Sequence, residues 1–253
     1  MKKIILTKTK NDFSYIRYFM FLYFKKYNLY KKYIKENIFF IPYKKRLNNR
    51  YLQRIKEFMK YEKITDFFTY EEEIKSYFKN YFCVIYGKNI YRDIFCDIIN
   101  FMTKEKSYEY ELIFISDNIK EIKILAEKTV KKVKSISVLT QKPFLYESMK
   151  DYFFFKYGVL LNIKTKKEKL KKHNKLYINC GANRTFDKNS FAGVNILDIY
   201  NVYEGAYKTI ILESKGKEKE YTNLLKCPYL IGLAEFLHDG KQGKKYKIAD
   251  IKK

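Results

Sequence analysis

Arg46, Arg50 and Arg54 stand at i, i+4 and i+8, a spacing that lines three guanidinium groups along one face of a helix. Such a strip can contact successive phosphates, although a solvated helix face has the same pattern. Gly87, Lys88 and Asn89 lie between an apolar run and a helical pattern, where backbone N–H groups at a helix start can hold an anion. One glycine falls far short of G-x-x-x-x-G-K-[ST], so an ordinary tight turn is the stronger reading. Glu71, Glu72 and Glu73 suit the first turn of a helix, where carboxylates complement the dipole. Cys83, Cys96, Cys180 and Cys227 are dispersed, with no C-x-x-C pair, and His173 and His238 have no neighbours at ligand spacing. No metal site and no Cys–His pair is indicated.

The elements that must position these groups centre on residues 111–182. Residues 111–116 are a short apolar run of strand length. Residues 119–133 carry Ile119, Ile122, Leu125, Ala126 and Val130 near helical spacing. Residues 135–140 are β-branched and strand-like, and residues 144–157 form a helical pattern that stops at Gly158. Residues 159–163 and 176–180 add two strands. Strands alternating with helices of this length predict an α/β fold, a parallel sheet covered on both faces.

The first half has a similar rhythm. Strands are expected at 3–7, 37–43, 64–69 and 81–86. Helices are expected at 12–35, 46–61, 70–79 (with Thr69 opening a capping box) and 90–104. The aromatic load of the 12–35 pattern fits a helix buried on a sheet, or a helix lying on a membrane surface between lysines. We expect two Rossmann-like parallel-sheet units joined by a long helix: residues 1–106 as a small α/β unit with the connecting helix, and 107–253 as the second. The second unit then has strands within 191–203 and at 207–213, and a helical pattern over 220–237 broken near Pro228. A basic tail starts at Lys241.

The chain has 253 residues and a formal net charge of +25, from 53 basic and 28 acidic residues. That balance suggests nucleic acid or an anionic surface. Yet only six of the basic residues are arginine, and Lys, Asn, Ile, Tyr and Phe abound while Gly, Pro and Trp are scarce. AT-rich codons favour this residue set, and base readout favours arginine, so a nucleic-acid partner is the less favoured reading. The longest apolar run, residues 18–24, is far below the roughly 20 residues of a membrane span. Dispersed cysteines fit a reducing cytoplasm.

The order of elements and residues 111–182 resemble the two-domain amino-acid-dehydrogenase-like family, the shikimate-dehydrogenase type. The residue set also resembles a family from bacteria with AT-rich genomes. The dehydrogenase resemblance implies a glycine-rich loop after the first strand of the second unit, holding a dinucleotide pyrophosphate. Ser116, Asp117 and Asn118 stand there instead; Asp117 would repel a phosphate, and Asn118 with Glu121 suits a helix cap. The expectation is therefore a small-ligand or partner-binding module without the dinucleotide fingerprint. Its ligand site would lie outside the carboxyl ends of the strands, with Ser116, Asp117, Asn118, Thr140, Gln141, Asn179 and Gly181 around one crevice. The alternatives are a divergent nucleotide-dependent dehydrogenase or transferase, and an anionic-surface binder using Arg46, Arg50 and Arg54. The sequence names no cofactor, no catalytic residue and no oligomeric state.

Overall fold

The computed structural model describes residues 2–9, 38–42, 49–116, 118–165, 174–181, 186, 194–200, 202–203, 205–225, 227–238 and 246–253. The helix expected over 12–35, and Arg46, Asp117 and His173, lie outside the described residues. The first part of the chain forms β1 (Lys2–Thr9), β2 (Ile38–Pro42), α1 (Asn49–Tyr61), β3 (Ile64–Phe68), α2 (Glu72–Phe78) and β4 (Cys83–Val84). Then come α3 (Lys88–Asp93), α4 (Phe95–Met102), β5 (Glu111–Ile115), α5 (Ile119–Thr129), β6 (Ser135–Leu139), α6 (Glu147–Tyr157), β7 (Asn162–Lys164) and β8 (Lys175–Asn179). The last elements are β9 (Ile196–Leu197), β10 (Thr209–Leu212), α7 (Lys217–Leu225), α8 (Ile231–His238) and β11 (Ile248–Lys252).

The chain divides into two compact units. The first holds Met1–Lys88, Lys215–Cys227 and Gly232–Gly240; the second holds Asn89–Ser214, Pro228–Ile231 and Lys241–Lys253. The protein is α/β, and both units are built on parallel sheets.

In the first unit the sheet order is β2-β1-β3-β4, all parallel. The spacing of Leu52, Ile55, Phe58 and Met59 puts them on one stripe of α1, which is the face the sheet needs covered. They share a core with Ile4, Leu6 and Phe67 of the strands and Ile74 and Phe78 of α2. In α8 an added Cβ on Gly232 would lie 2.8 Å from the Ile85 carbonyl oxygen, so the backbones approach closely there.

In the second unit the main sheet runs β7-β6-β5-β8-β9, again parallel. Counted in order of appearance this is 3-2-1-4-5, the order of a Rossmann-like sheet. β5, β6 and β8 are buried at every position after the first, as a parallel sheet covered on both faces requires. Phe114 of β5 meets Phe95 of α4 at 6.2 Å between ring centroids. Ile113 and Ile115 point into a separate core with Leu139, Tyr177, Ile196 and Tyr203.

Several expected elements changed length, each for a visible reason. The helix expected over 90–104 is two, α3 and α4, broken at Ile94. The Lys128 ammonium donates to the Arg92 carbonyl at 2.6 Å, on the turn where the two helices part. The strand expected over 81–86 shrinks to two residues, because the N–H groups of Tyr81 and Phe82 still bond the Phe78 carbonyl at the end of α2. Thr69 does not cap α2: its hydroxyl accepts from the Glu71 N–H at 3.1 Å, and Glu71 is the cap residue. The strand expected over 159–163 starts later, at Asn162. Gly158 adopts φ 67°, and the N–H groups of Gly158 and Val159 close the last turn of α6 onto Phe154 and Phe153. The basic tail also differs: Ile248–Lys252 pairs antiparallel with Thr209–Leu212.

Glu111 ties the amino end of β5 to its neighbours. Its carboxylate accepts from the Ser137 hydroxyl of β6 and from Lys164 of β7 at 2.7 Å, with Lys175 of β8 at 3.7 Å. Burial by itself would raise its pKa, but the bonds from Lys164 and Ser137 and the charges of Lys164 and Lys175 bring it below the ordinary value. A carboxyl with a lowered folded-state pKa contributes stability that is fully present above its unfolded pKa. That contribution is lost as pH falls through the folded value. Urea denaturation from pH 7 downward is therefore expected to show a decline below about pH 4.5 that is shallower in Glu111→Gln. Parallel profiles for the two proteins would refute the assignment.

Candidate functional site

The register of the second sheet brings three strand ends to one level. Ile115 of β5 pairs with Leu139 of β6 on one side and Asn179 of β8 on the other. Ser116, Thr140 and Cys180 are the next residues on those strands. Connections leave β5 towards β6 on one side and return to β8 on the other, so the order reverses between β5 and β8. That reversal opens the position where ligands sit on sheets of this kind.

The strand-end residues named from sequence are placed as follows. Ser116 is buried; its hydroxyl accepts from the Asn118 N–H at 2.9 Å, and its carbonyl accepts from the Tyr146 hydroxyl. Asn118 is the cap of α5, its side-chain oxygen accepting from the Glu121 N–H at 3.2 Å. Thr140 is fully buried and its hydroxyl accepts from the Lys142 N–H at 3.0 Å, while Gln141 is exposed. Asn179 is buried; its amide donates to the Gly181 carbonyl at 2.9 Å and to Asp198 at 2.7 Å. Ser116, Thr140, Asn179 and Gly181 thus share one edge, each with a local hydrogen-bonding duty.

Four further residues at this edge were not singled out as site residues by sequence reasoning. Asp198, just after β9, has no exposed surface. Its carboxylate also accepts from the N–H groups of Tyr200 (3.1 Å), Val202 (2.6 Å) and Tyr203 (2.7 Å). Glu121, in the first turn of α5, is 2% exposed and takes both oxygens to Arg92, through Nε at 2.9 Å and through Nη2. So half of the expected capping box forms: Asn118 caps Glu121, but the Glu121 carboxylate turns to Arg92. Tyr91, beside Arg92 on α3, is buried with its ring 5.3 Å from that of Phe95, and its hydroxyl has no hydrogen-bond partner. Burial pushes its pKa well above the usual phenol value, and Cys180, Tyr200, Glu121 and Asp198 add to the rise. Of these Glu121 left a trace in the sequence, as Asn118-x-x-Glu121, and an acid inside the apolar run 196–199 is a fainter mark of Asp198.

The other chemical candidates are placed elsewhere. Gly87 adopts φ 83°, a turn that favours glycine, and Lys88 and Asn89 open the six-residue α3. Arg54 is bound to Glu57 at 2.6 Å, and Arg50 lies on the exposed side of α1. No disulfide joins the four cysteines. Burial pushes the Cys227 thiol up to about 12, and burial with the nearby Asp66 carboxylate raises Cys83, so neither is poised as a thiolate. His238 meets Glu218 at 3.1 Å in the first unit. Among the described residues no three His, Cys, Asp or Glu side chains converge as a metal site. Among them, too, no helix is long and apolar enough to cross a membrane. Compared with known proteins, the sequence matches no family model and no curated protein.

Proposed function

We propose that this protein binds a small ligand at the carboxyl edge of its second sheet, at the reversal between β5 and β8, without a glycine-rich pyrophosphate loop. The observation that carries the reading is the gathering of buried polar side chains there: Ser116, Thr140, Asn179, Asp198, Glu121 and Tyr91. Five of these are hydrogen-bonded within the chain, and the Tyr91 hydroxyl is the one left without an acceptor, which supports a binding role at this edge. Dispersed cysteines without a disulfide support a reducing, cytoplasmic setting.

A thermal-shift screen with NAD⁺, NADP⁺, S-adenosylmethionine, ATP, a nucleotide-sugar and small neutral metabolites tests it. A ligand at about 100 times its Kd stabilises by roughly 2.7 kcal/mol. For a chain of this size that is a rise in Tm of roughly 5–10 °C. A rise confined to one nucleotide favours the divergent nucleotide-dependent enzyme instead. No rise with any compound counts against the site.

A partner-binding reading has one observation of its own. Phe144 (71% exposed), Phe154 (51%), Phe155 (83%) and Leu160 (63%) lie on and beside α6 and leave apolar surface in water.

A further inference from the structure

We infer that the Tyr91 hydroxyl is the hydrogen-bond donor to the ligand at this edge, and that the ligand presents a neutral carbonyl or hydroxyl oxygen rather than a phosphate. The inference rests on the ligand-binding reading above and adds the chemical class.

The position of the hydroxyl is set by its ring. Tyr91 is 2% exposed and packs edge-on to Phe95, which in turn contacts Phe114 of β5. Its neighbour Arg92 bonds Glu121 at the start of α5, which brings α3 to this edge, and Cys180, Tyr200, Glu121 and Asp198 all act to raise the Tyr91 pKa. None of them accepts its proton. Glu121 and Asp198 hold other donors. Both Glu121 oxygens are taken by Arg92, and both Asp198 oxygens are filled by Asn179 and three backbone N–H groups. A buried donor left unmade is disfavoured, so a native one calls for an acceptor from outside the chain. Burial among carboxylates keeps the phenol protonated, hence a donor.

The charges decide the class. α5 is eleven residues long, and the N-terminus of such a helix ordinarily attracts a phosphate. Here its first turn carries a buried carboxylate of its own, Glu121, whose cation Arg92 is already committed. Asp198 adds a second carboxylate whose charge acts on the same hydroxyl. An entering phosphate would meet the Asp198 carboxylate, and Arg92, the cation at this helix start, is already paired with Glu121, whereas a neutral oxygen meets the waiting O–H.

The test is Tyr91→Phe with four neutral probes (nicotinamide, acetamide, D-glucose and myo-inositol) against inorganic phosphate and pyrophosphate, all by thermal shift. The expected result has three parts. Ligand-free Tyr91→Phe melts at or above the wild-type temperature, since no bond is lost. At least one neutral probe raises Tm, and its affinity falls about tenfold in Tyr91→Phe. Phosphate and pyrophosphate do nothing. A ligand-free variant that melts lower means that the hydroxyl serves the fold, through a buried water, and overturns the inference. A neutral probe bound equally by both proteins removes Tyr91 from the site while leaving the ligand-binding reading intact. A shift with phosphate, or with nucleotides alone, overturns the neutral class and keeps the site. No shift with any neutral or nucleotide compound overturns both.

Discussion

Asp198→Ala is expected to destabilise the second unit by about 3–5 kcal/mol, because one small side chain organises the whole turn after β9. Its two oxygens accept four hydrogen bonds, from Asn179 and from the N–H groups of Tyr200, Val202 and Tyr203. The residue is wholly buried, and so is Tyr203, at 2%. Alanine leaves those donors facing protein instead of a carboxylate, and each buried donor without an acceptor costs about 1–3 kcal/mol. The sum is not additive, since the turn will relax and admit some water. Asp198→Asn keeps the shape and one accepting oxygen, but turns an NH₂ group towards backbone donors, so it should fall between wild type and Ala. Urea denaturation of the three proteins checks the order. A loss below about 1 kcal/mol in the Ala variant would mean that water replaces the carboxylate readily, and that the turn is not held as described.

Arg92→Leu is expected to cost about 3 kcal/mol, the low end of the range for breaking a buried ion pair. Glu121 is 2% exposed on its side chain, so its charge loses its compensation, while Arg92 is 27% exposed and was only partly desolvated. Adding Glu121→Leu to Arg92→Leu removes the stranded charge and should recover most of the loss. A double-mutant cycle separates the pair from simple packing changes. Near-zero coupling in that cycle would show that the two side chains do not meet in solution. The same variants bear on binding. Releasing the N-terminus of α5 from Glu121 should make that helix end more hospitable to phosphate, the opposite of the wild-type preference.

The fold class could be read from local pattern. β5 and β8 are apolar runs behind one charged residue, β6 is rich in β-branched and apolar residues, α1 carries one apolar stripe, and Gly158 marks the end of α6; each is a preference expressed within a dozen residues. Once the sheet is parallel, its carboxyl edge follows, and with it the shared level of Ser116, Thr140 and Asn179. Boundaries were less legible, because long-range bonds move them. Ile94, at φ −98° and ψ 13°, parts one expected helix into two, and β10 recruits residues 248–252 from a tail that is polar and basic by composition.

The chemistry at the edge was hardest to read. Arg92 and Glu121 are 29 positions apart, and Asn179 and Asp198 are 19 apart. Tyr91 in the sequence is one of 26 tyrosines, and nothing near it distinguishes a phenol that will be buried without a partner. The sequence by itself determined which segments are strands and helices, because backbone preference and hydrophobic period are local properties of the chain. Only the tertiary structure decided which polar groups meet and which is left waiting, because burial and hydrogen-bond partnership exist only after distant segments pack together.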